Sequence, residues 1–182
     1  MKHVLMAVSG PSGVGKGSIV KTIISRREDI VESVSCTTRP PREGEVNGRE
    51  YFFLSHEEFQ KRIEEKDFLE YDEHFGNYYG TPKSFVLETL KTKSVIMEID
   101  VVGSLQAKEI YPDCVLVMIV PPSLEELKRR LIGRGTEDME KIENRLARIE
   151  YELSHKDKYD YVIVNDDLET AIKEVEKIFD RE

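Results

Sequence analysis

Apolar residues in this chain fall into short dense runs, with longer stretches of helical spacing between them. "HVLMAVS" near the N-terminus, "SVIMEID", "CVLVMIV" and "YVIVN" are each continuous, rich in β-branched residues and too short for a helix. Such runs predict strands buried on both faces. After the first comes "SIVKTIISRRE", with Ile19, Ile23 and Ile24 on one helical face. Three further stripes recur at helical intervals: Leu124, Leu127 and Leu131; Ile142, Leu146, Ile149 and Leu153; Leu168, Ile172, Val175 and Phe179. Strands alternating with helices predict an α/β fold, with a parallel sheet covered on both faces.

Two stretches break this rhythm. Residues 33–85 mix short strand-like pieces with Pro40, Pro41 and an Asn47-Gly48 pair. Asn-Gly between such pieces signals a hairpin, so this stretch predicts a small mixed, partly antiparallel insertion. The second is "GRGTEDMEK", polar and glycine-bearing between two helical stripes, which is a candidate mobile lid.

Composition narrows the function classes. The chain has 182 residues, enough for one well-buried domain. With 27 Lys+Arg against 36 Asp+Glu the net charge is −9, which disfavours nonspecific binding to a nucleic-acid backbone. The longest apolar run is cut by Pro121 and Pro122, far short of the ~20 residues of a membrane span. Cys36 and Cys114 have no metal-ligand spacing, and reduced thiols in a cytoplasmic protein are expected. The N-terminal apolar stretch runs straight into a glycine loop, so no secretory leader is expected. None of these features separates a monomer from a homo-oligomer.

The strongest chemical signal is Gly10-x-x-x-x-Gly15-Lys16, after a strand and before a helix. Glycines let backbone N–H groups turn inward on phosphate oxygens, the helix start adds its positive end, and Lys16 reaches the β- and γ-phosphates. The motif usually continues with Ser or Thr, whose hydroxyl touches Mg²⁺. Here Gly17 takes that place and the hydroxyl comes at Ser18. The metal is therefore expected to be held mainly through phosphate oxygens and water. The loop specifies a nucleoside triphosphate and leaves the phosphoryl acceptor open.

Beyond the loop, "GPSGVGKGS", "SVSCTTRPPREGEVNGREYFF", "FLEY", "GNYYGTP", "EIDVVG", "RLIGRGTED" and "VIVNDDL" follow in an order and spacing that resembles the guanylate kinases over nearly the whole chain. The second block is the most specific. The resemblance implies a P-loop NTPase fold, a three-layer α/β/α sandwich on a five-stranded parallel core sheet. It implies a core of residues 1–32 and 86–182, a lid at about 125–145 within it, and a mixed α/β GMP-binding insertion at 33–85. It implies transfer of the ATP γ-phosphoryl group to GMP, and to dGMP, with Mg²⁺.

The same resemblance supplies candidate residues. ATP would meet Gly10, Ser12, Gly13, Val14, Gly15, Lys16, Gly17 and Ser18, together with Arg130, Arg134 and Asn165. Arg39, Arg42, Tyr51 and Tyr79 match positions that hold the GMP phosphate, where guanidinium forks and phenolic hydroxyls suit a dianion. Glu70 and Thr81, helped by Ser35, Gly80 and Asp100, match positions that read the base. A carboxylate accepts from guanine N1–H and N2–H₂ while a hydroxyl donates to O6, and such a site can reject the wrong base by ~10⁴–10⁵. Lys16, Arg39, Arg134 and Arg145 are the catalytic candidates, and Ser18 and Asp100 the protein groups nearest the metal. The chain departs from the family pattern Asp-Ile-Asp-x-Gln-Gly at Glu98 and Val102, and no detailed role carries over to either.

Each signal has a plainer alternative. "RPPR" alone is a solvated basic loop, Tyr79 alone is core packing, and Asn165 is equally a turn residue after a strand. Arg148 reads as an ordinary exposed helix residue. At the level of function, the alternatives are a catalytically inactive guanylate-kinase-like protein-binding module and a kinase for another small phosphorylated acceptor.

Overall fold

The computed structural model describes residues 2–133, 135 and 138–182, apart from the Arg130 side chain. The first half runs β1 (Leu5–Ser9), α1 (Lys16–Arg26), β2 (Ile30–Glu32), β3 (Cys36–Thr37), β4 (Phe52–Phe53), α2 (His56–Glu64), β5 (Phe68–His74) and β6 (Asn77–Pro82). The second half runs α3 (Lys83–Thr89), β7 (Ser94–Glu98), α4 (Val101–Ile110), β8 (Val115–Val120), α5 (Leu124–Gly133), α6 (Met139–Leu153), β9 (Tyr161–Val164) and α7 (Leu168–Arg181). All four apolar runs are strands, and each helical stripe lies on a helix.

The main sheet has the order β2-β7-β1-β8-β9, with every pairing parallel. Side chains alternate along β1. Met6 and Val8 pack with α1 and α7 through Ile19, Ile23, Ile172 and Val175, whereas Leu5 and Ala7 pack with Val86, Val101, Ala107 and Tyr159 on the other face. Because both faces are covered, the central strands are apolar throughout, and a three-layer α/β/α sandwich results. Cys36 and Cys114 are buried in different clusters and are not bonded to each other.

Residues 36–82 build a second sheet, ordered β4-β3-β6-β5. It is mixed, as expected: β3 and β4 pair parallel, while β3–β6 and β5–β6 are antiparallel. The hairpin lies elsewhere than the sequence suggested. Asn47-Gly48 sits in the long connection between two parallel strands, where Asn47 Oδ1 accepts the Phe53 N–H and the Gly48 N–H reaches Tyr51 O. The true hairpin joins β5 to β6 through Phe75-Gly76, both at positive φ (51° and 79°), as a two-residue turn between right-twisted strands requires. A bulky residue in that conformation is uncommon, which is why pattern reading passed it over.

Two ties fix the frame around the glycine loop. Ser9 Oγ, at the end of β1, hydrogen-bonds Ser104 Oγ of α4 (2.9 Å) and the Tyr159 hydroxyl, all buried. Asp100 was expected to end strand β7. The strand stops at Glu98, and Asp100 is instead the N-cap of α4, accepting the Gly103 N–H at 2.7 Å. A carboxylate satisfies an otherwise unpaired helix N–H well, and the role holds Asp100 just past the carboxyl end of the strand.

The small sheet has little core of its own, centred on buried Cys36, Phe59 and Phe68. Phe59 is fully buried and stacks on Phe68 (4.4 Å) and Tyr78 (5.3 Å). Phe59→Ala should therefore cost about 3–5 kcal/mol of stability, read as a lowered denaturation midpoint. A loss below ~1 kcal/mol would show that this cluster does not hold the sheet together.

Candidate functional site

The glycine loop leaves β1 at its carboxyl end and turns into α1. Gly15, the residue before the helix, has φ 98°, and the Val14 N–H closes the loop onto Pro11 O. Lys16, first in the helix, folds back so that Nζ donates to Gly10 O at 2.6 Å. Asn165 follows β9, and its Nδ2 donates to Val14 O at 2.7 Å. The residue weighed as an ATP neighbour or a turn residue thus braces the loop from the strand beyond β8.

Two cavities flank this loop. One, of about 270 Å³, is lined by Gly13, Val14, Gly15, Ser18, Pro121, Pro122, Leu127 and Asn165, among others. The other, of about 340 Å³, is lined by Gly10, Ser12, Lys16, Asp100, Arg145, Arg148 and Glu152, among others. Gly17 faces a different neighbour: a Cβ there would lie 3.7 Å from the Glu98 carboxylate. Val102 is exposed.

A third cavity, of about 260 Å³, lies between the sheets. Ser35, Tyr51, Glu70, Tyr79, Gly80 and Asp100 line it, with Asp72, His74 and Glu98. Six of the nine residues expected to meet the acceptor nucleotide therefore share one space. Thr81 is buried behind Glu70 and donates its hydroxyl to Oε1 at 2.8 Å. Arg39 adjoins the cavity, its guanidinium carbon 5.4 Å from the Tyr51 ring centre. Arg42 is exposed on the same loop.

Asp100 is common to the cavity at Lys16 and the cavity at Glu70. Arg148 is exposed, as its reading as a helix surface residue expected, with its side chain 68% accessible; it nonetheless lines the Lys16 cavity and reaches the buried Glu152 (3.3 Å). One helical turn separates it from Arg145, a spacing that could have flagged it. Arg134 and the Arg130 side chain lie outside the described residues, as do two residues of the expected lid, 136 and 137. Among the described residues, no group of three His, Cys, Asp or Glu is arranged to hold a metal, and no helix is long and apolar enough to cross a membrane.

The electrostatics divide by pocket. Lys16, Arg145 and Arg148 give the loop side positive charge. At the other end Glu70 stands among carboxylates: burial pushes it up to about 7, Asp100 and Asp72 add to the rise, and the Thr81 hydrogen bond opposes it. The α4 N-terminus comes close as well, since a Cβ on Gly103 would lie 3.0 Å from Glu70 Oε2.

A five-stranded parallel sheet with a phosphate loop between its central strand and the next helix defines a P-loop nucleotide-binding protein. The guanylate kinase family profile matches residues 2–182. A guanylate kinase of Clostridium tetani is 48% identical over 182 residues, covering 100% of this chain and 87% of that protein. One from Caldanaerobacter subterraneus is 47% identical over 175 residues, covering 96% and 85%. A crystal structure of guanylate kinase from Anaplasma phagocytophilum superposes with a TM-score of 0.73 at 32% identity, over 98% of this chain and 85% of that one. The chain belongs to the guanylate kinase family.

Glu70 makes a pH prediction. Its folded value of about 7 exceeds the ordinary 4.5, so the folded chain keeps a proton that the unfolded chain has released. The resulting stabilisation is full below about pH 4.5 and is lost as the pH rises through 7. Against Glu70→Gln, the unsubstituted protein should lose on the order of 1–3 kcal/mol between pH 5 and 8. Denaturant titrations across that range measure it, and parallel pH profiles would remove the assignment.

Proposed function

We propose that this chain transfers the γ-phosphoryl group of ATP to GMP, and to dGMP, giving ADP and GDP. The observation that carries the reading is Asp100, which lines both the Lys16 cavity and the Glu70 cavity. Two substrates held there would meet across one side chain. The segment 33–85 acts as the acceptor-binding unit, and residues 1–32 and 86–182 as the donor-binding core.

In the acceptor cavity the Glu70 carboxylate accepts from guanine N1–H and N2–H₂. Thr81 turns its hydroxyl proton from Glu70 to O6. Adenine lacks the N2 amine and presents a lone pair at N1, so the ionised carboxylate repels it. Arg39, Arg42, Tyr51 and Tyr79 bind the acceptor phosphate, with Ser35 and Gly80 completing the wall. In the donor cavity the loop amides and Lys16 hold the β- and γ-phosphates, while Arg145, with Arg134 and Arg130, neutralises charge as it spreads over the transferring group.

An oxygen of the GMP phosphate forms the new bond to the γ-phosphorus with its own electron pair. The bond from the γ-phosphorus to the β–γ bridging oxygen breaks, and ADP leaves with that pair. The acceptor oxygen is already anionic, so no side chain has to remove a proton.

Mg²⁺ fits the residues present: Gly17 offers no ligand, whereas Ser18 stands exposed in the first turn of α1 and the Asp100 cap bond engages only its Oδ1. Ser18 and Asp100 would order metal-bound water, with phosphate oxygens as the main ligands. The metal, when bound, screens phosphate charge. A cytoplasmic nucleotide pool supplies both substrates.

A coupled ADP-release assay with ATP and a panel of GMP, dGMP, AMP, UMP and ribose phosphates tests the reading. GMP should be preferred over AMP by at least ~10⁴ in kcat/KM. Turnover of a sugar phosphate in preference to GMP would overturn it. Lys16→Met should lower kcat by ~10³ or more. Glu70→Ala should raise the KM for GMP while leaving ATP binding, followed by calorimetry, unchanged. Unaltered base selectivity in that variant would remove Glu70 from the reading site.

A further inference from the structure

We propose that Glu45 is a positioning residue for the acceptor phosphate, holding both arginines of that subsite and leaving Arg39 one edge to present. This rests on the GMP reading above. Glu45 lies within the most specific of the family-matching blocks, but nothing in the sequence assigns it a role of its own beside Arg39 and Arg42.

In the structure its carboxylate meets Arg39 end-on. Nη1 donates to Oε1 at 2.8 Å and Nη2 to Oε2 at 3.0 Å. Nη1 also donates to Pro40 O at 2.9 Å. A guanidinium has five N–H bonds, and Glu45 and Pro40 engage three of them, while the Tyr79 hydroxyl, itself a candidate phosphate ligand, also interacts with the group. The two remaining, on Nε and the outer side of Nη2, lie along a single edge. They are parallel and spaced to meet two oxygens of one phosphate. The guanidinium also lies over the Tyr51 ring (5.4 Å) and the Phe53 ring (5.9 Å), which are 5.9 Å apart and so pack on one side of it. Both partners are well packed, with side chains 14% and 17% exposed.

The same carboxylate holds Arg42. Oε1 accepts the Arg42 N–H at 2.7 Å, and the Glu45 N–H returns to Arg42 O at 3.0 Å across a turn with Gly44 at φ 83°. One side chain therefore sets the guanidinium plane of Arg39 and the backbone from which Arg42 projects. Hydrogen bonds from Arg39 and from the Arg42 backbone hold the Glu45 carboxyl down at about 2, so it remains an acceptor throughout the working pH range. A fork already aimed needs no reorganisation when the phosphate arrives.

A competing role predicts the opposite sign. If Glu45 occupies the place of the phosphate and must be displaced, removing it strengthens GMP binding. Calorimetry with GMP and with guanosine, plus steady-state kinetics, on the unsubstituted protein, Glu45→Ala and Glu45→Gln separates the two. Positioning expects Glu45→Ala to weaken GMP binding by about 10–100-fold. Guanosine binding and the KM for ATP should hold, and KM for GMP should rise more than kcat falls. Glu45→Gln, which keeps an acceptor oxygen but no charge, should fall between. Equal or tighter GMP binding by Glu45→Ala overturns the proposal, as does an equal loss with guanosine, which would mean general loop collapse. If the unsubstituted protein itself binds no GMP, the functional reading fails first and this inference falls with it.

Discussion

The backbone of Gly10 passes so close to β8 that a Cβ there would lie 2.2 Å from the carbonyl oxygen of Ile119. That approach lets the glycine loop leave β1 directly over the carboxyl ends of the sheet. Asp100, after neighbouring β7, caps α4 beside the loop, and Asn165, after β9 beyond β8, reaches across to bond Val14 O. The buried hydroxyls of Ser9, Ser104 and Tyr159 join β1, α4 and the segment before β9 beneath it. Any side chain at position 10 would have to push β8 away or lift the loop, and every distance around Lys16 depends on neither happening.

The charges are arranged against a net charge of −9. Cations gather where phosphates would lie, and carboxylates where a base with N–H donors would lie. The cavity between the sheets holds Glu70 near Asp100 and Asp72, a costly arrangement that raises Glu70. A carboxylate raised by burial is one that a partner with two adjacent donors can relieve. In this site the unfavourable term in the folded chain and the selectivity proposed for it are the same interaction.

Much of the fold was legible in the sequence because its determinants are local. Apolar runs buried on both faces and stripes at helical spacing need no knowledge of partners. Four core strands could be read this way. The fifth, Ile30–Glu32, is a short edge strand with one residue buried, and only the family likeness implied it. The hairpin was misassigned because a strong local turn signal at Asn47-Gly48 competed with an unfavourable one at Phe75-Gly76, and long-range pairing of β5 with β6 decided the matter. Residues acting through another side chain showed no role of their own. Glu45, though inside the most specific block, and Glu152 read as surface acids until folding brings Arg39 and Arg148 against them.

The main sheet ends at both sides in brief strands, three residues in β2 and four in β9. An open parallel sheet leaves a row of unpaired amides and carbonyls along each rim, which can template another chain. Here each rim offers scarcely two or three rungs of such a ladder. Mutual repulsion between chains of this acidity works in the same direction. The architecture that opens one end of the sheet to nucleotides thus keeps its flanks poor nuclei for aggregation.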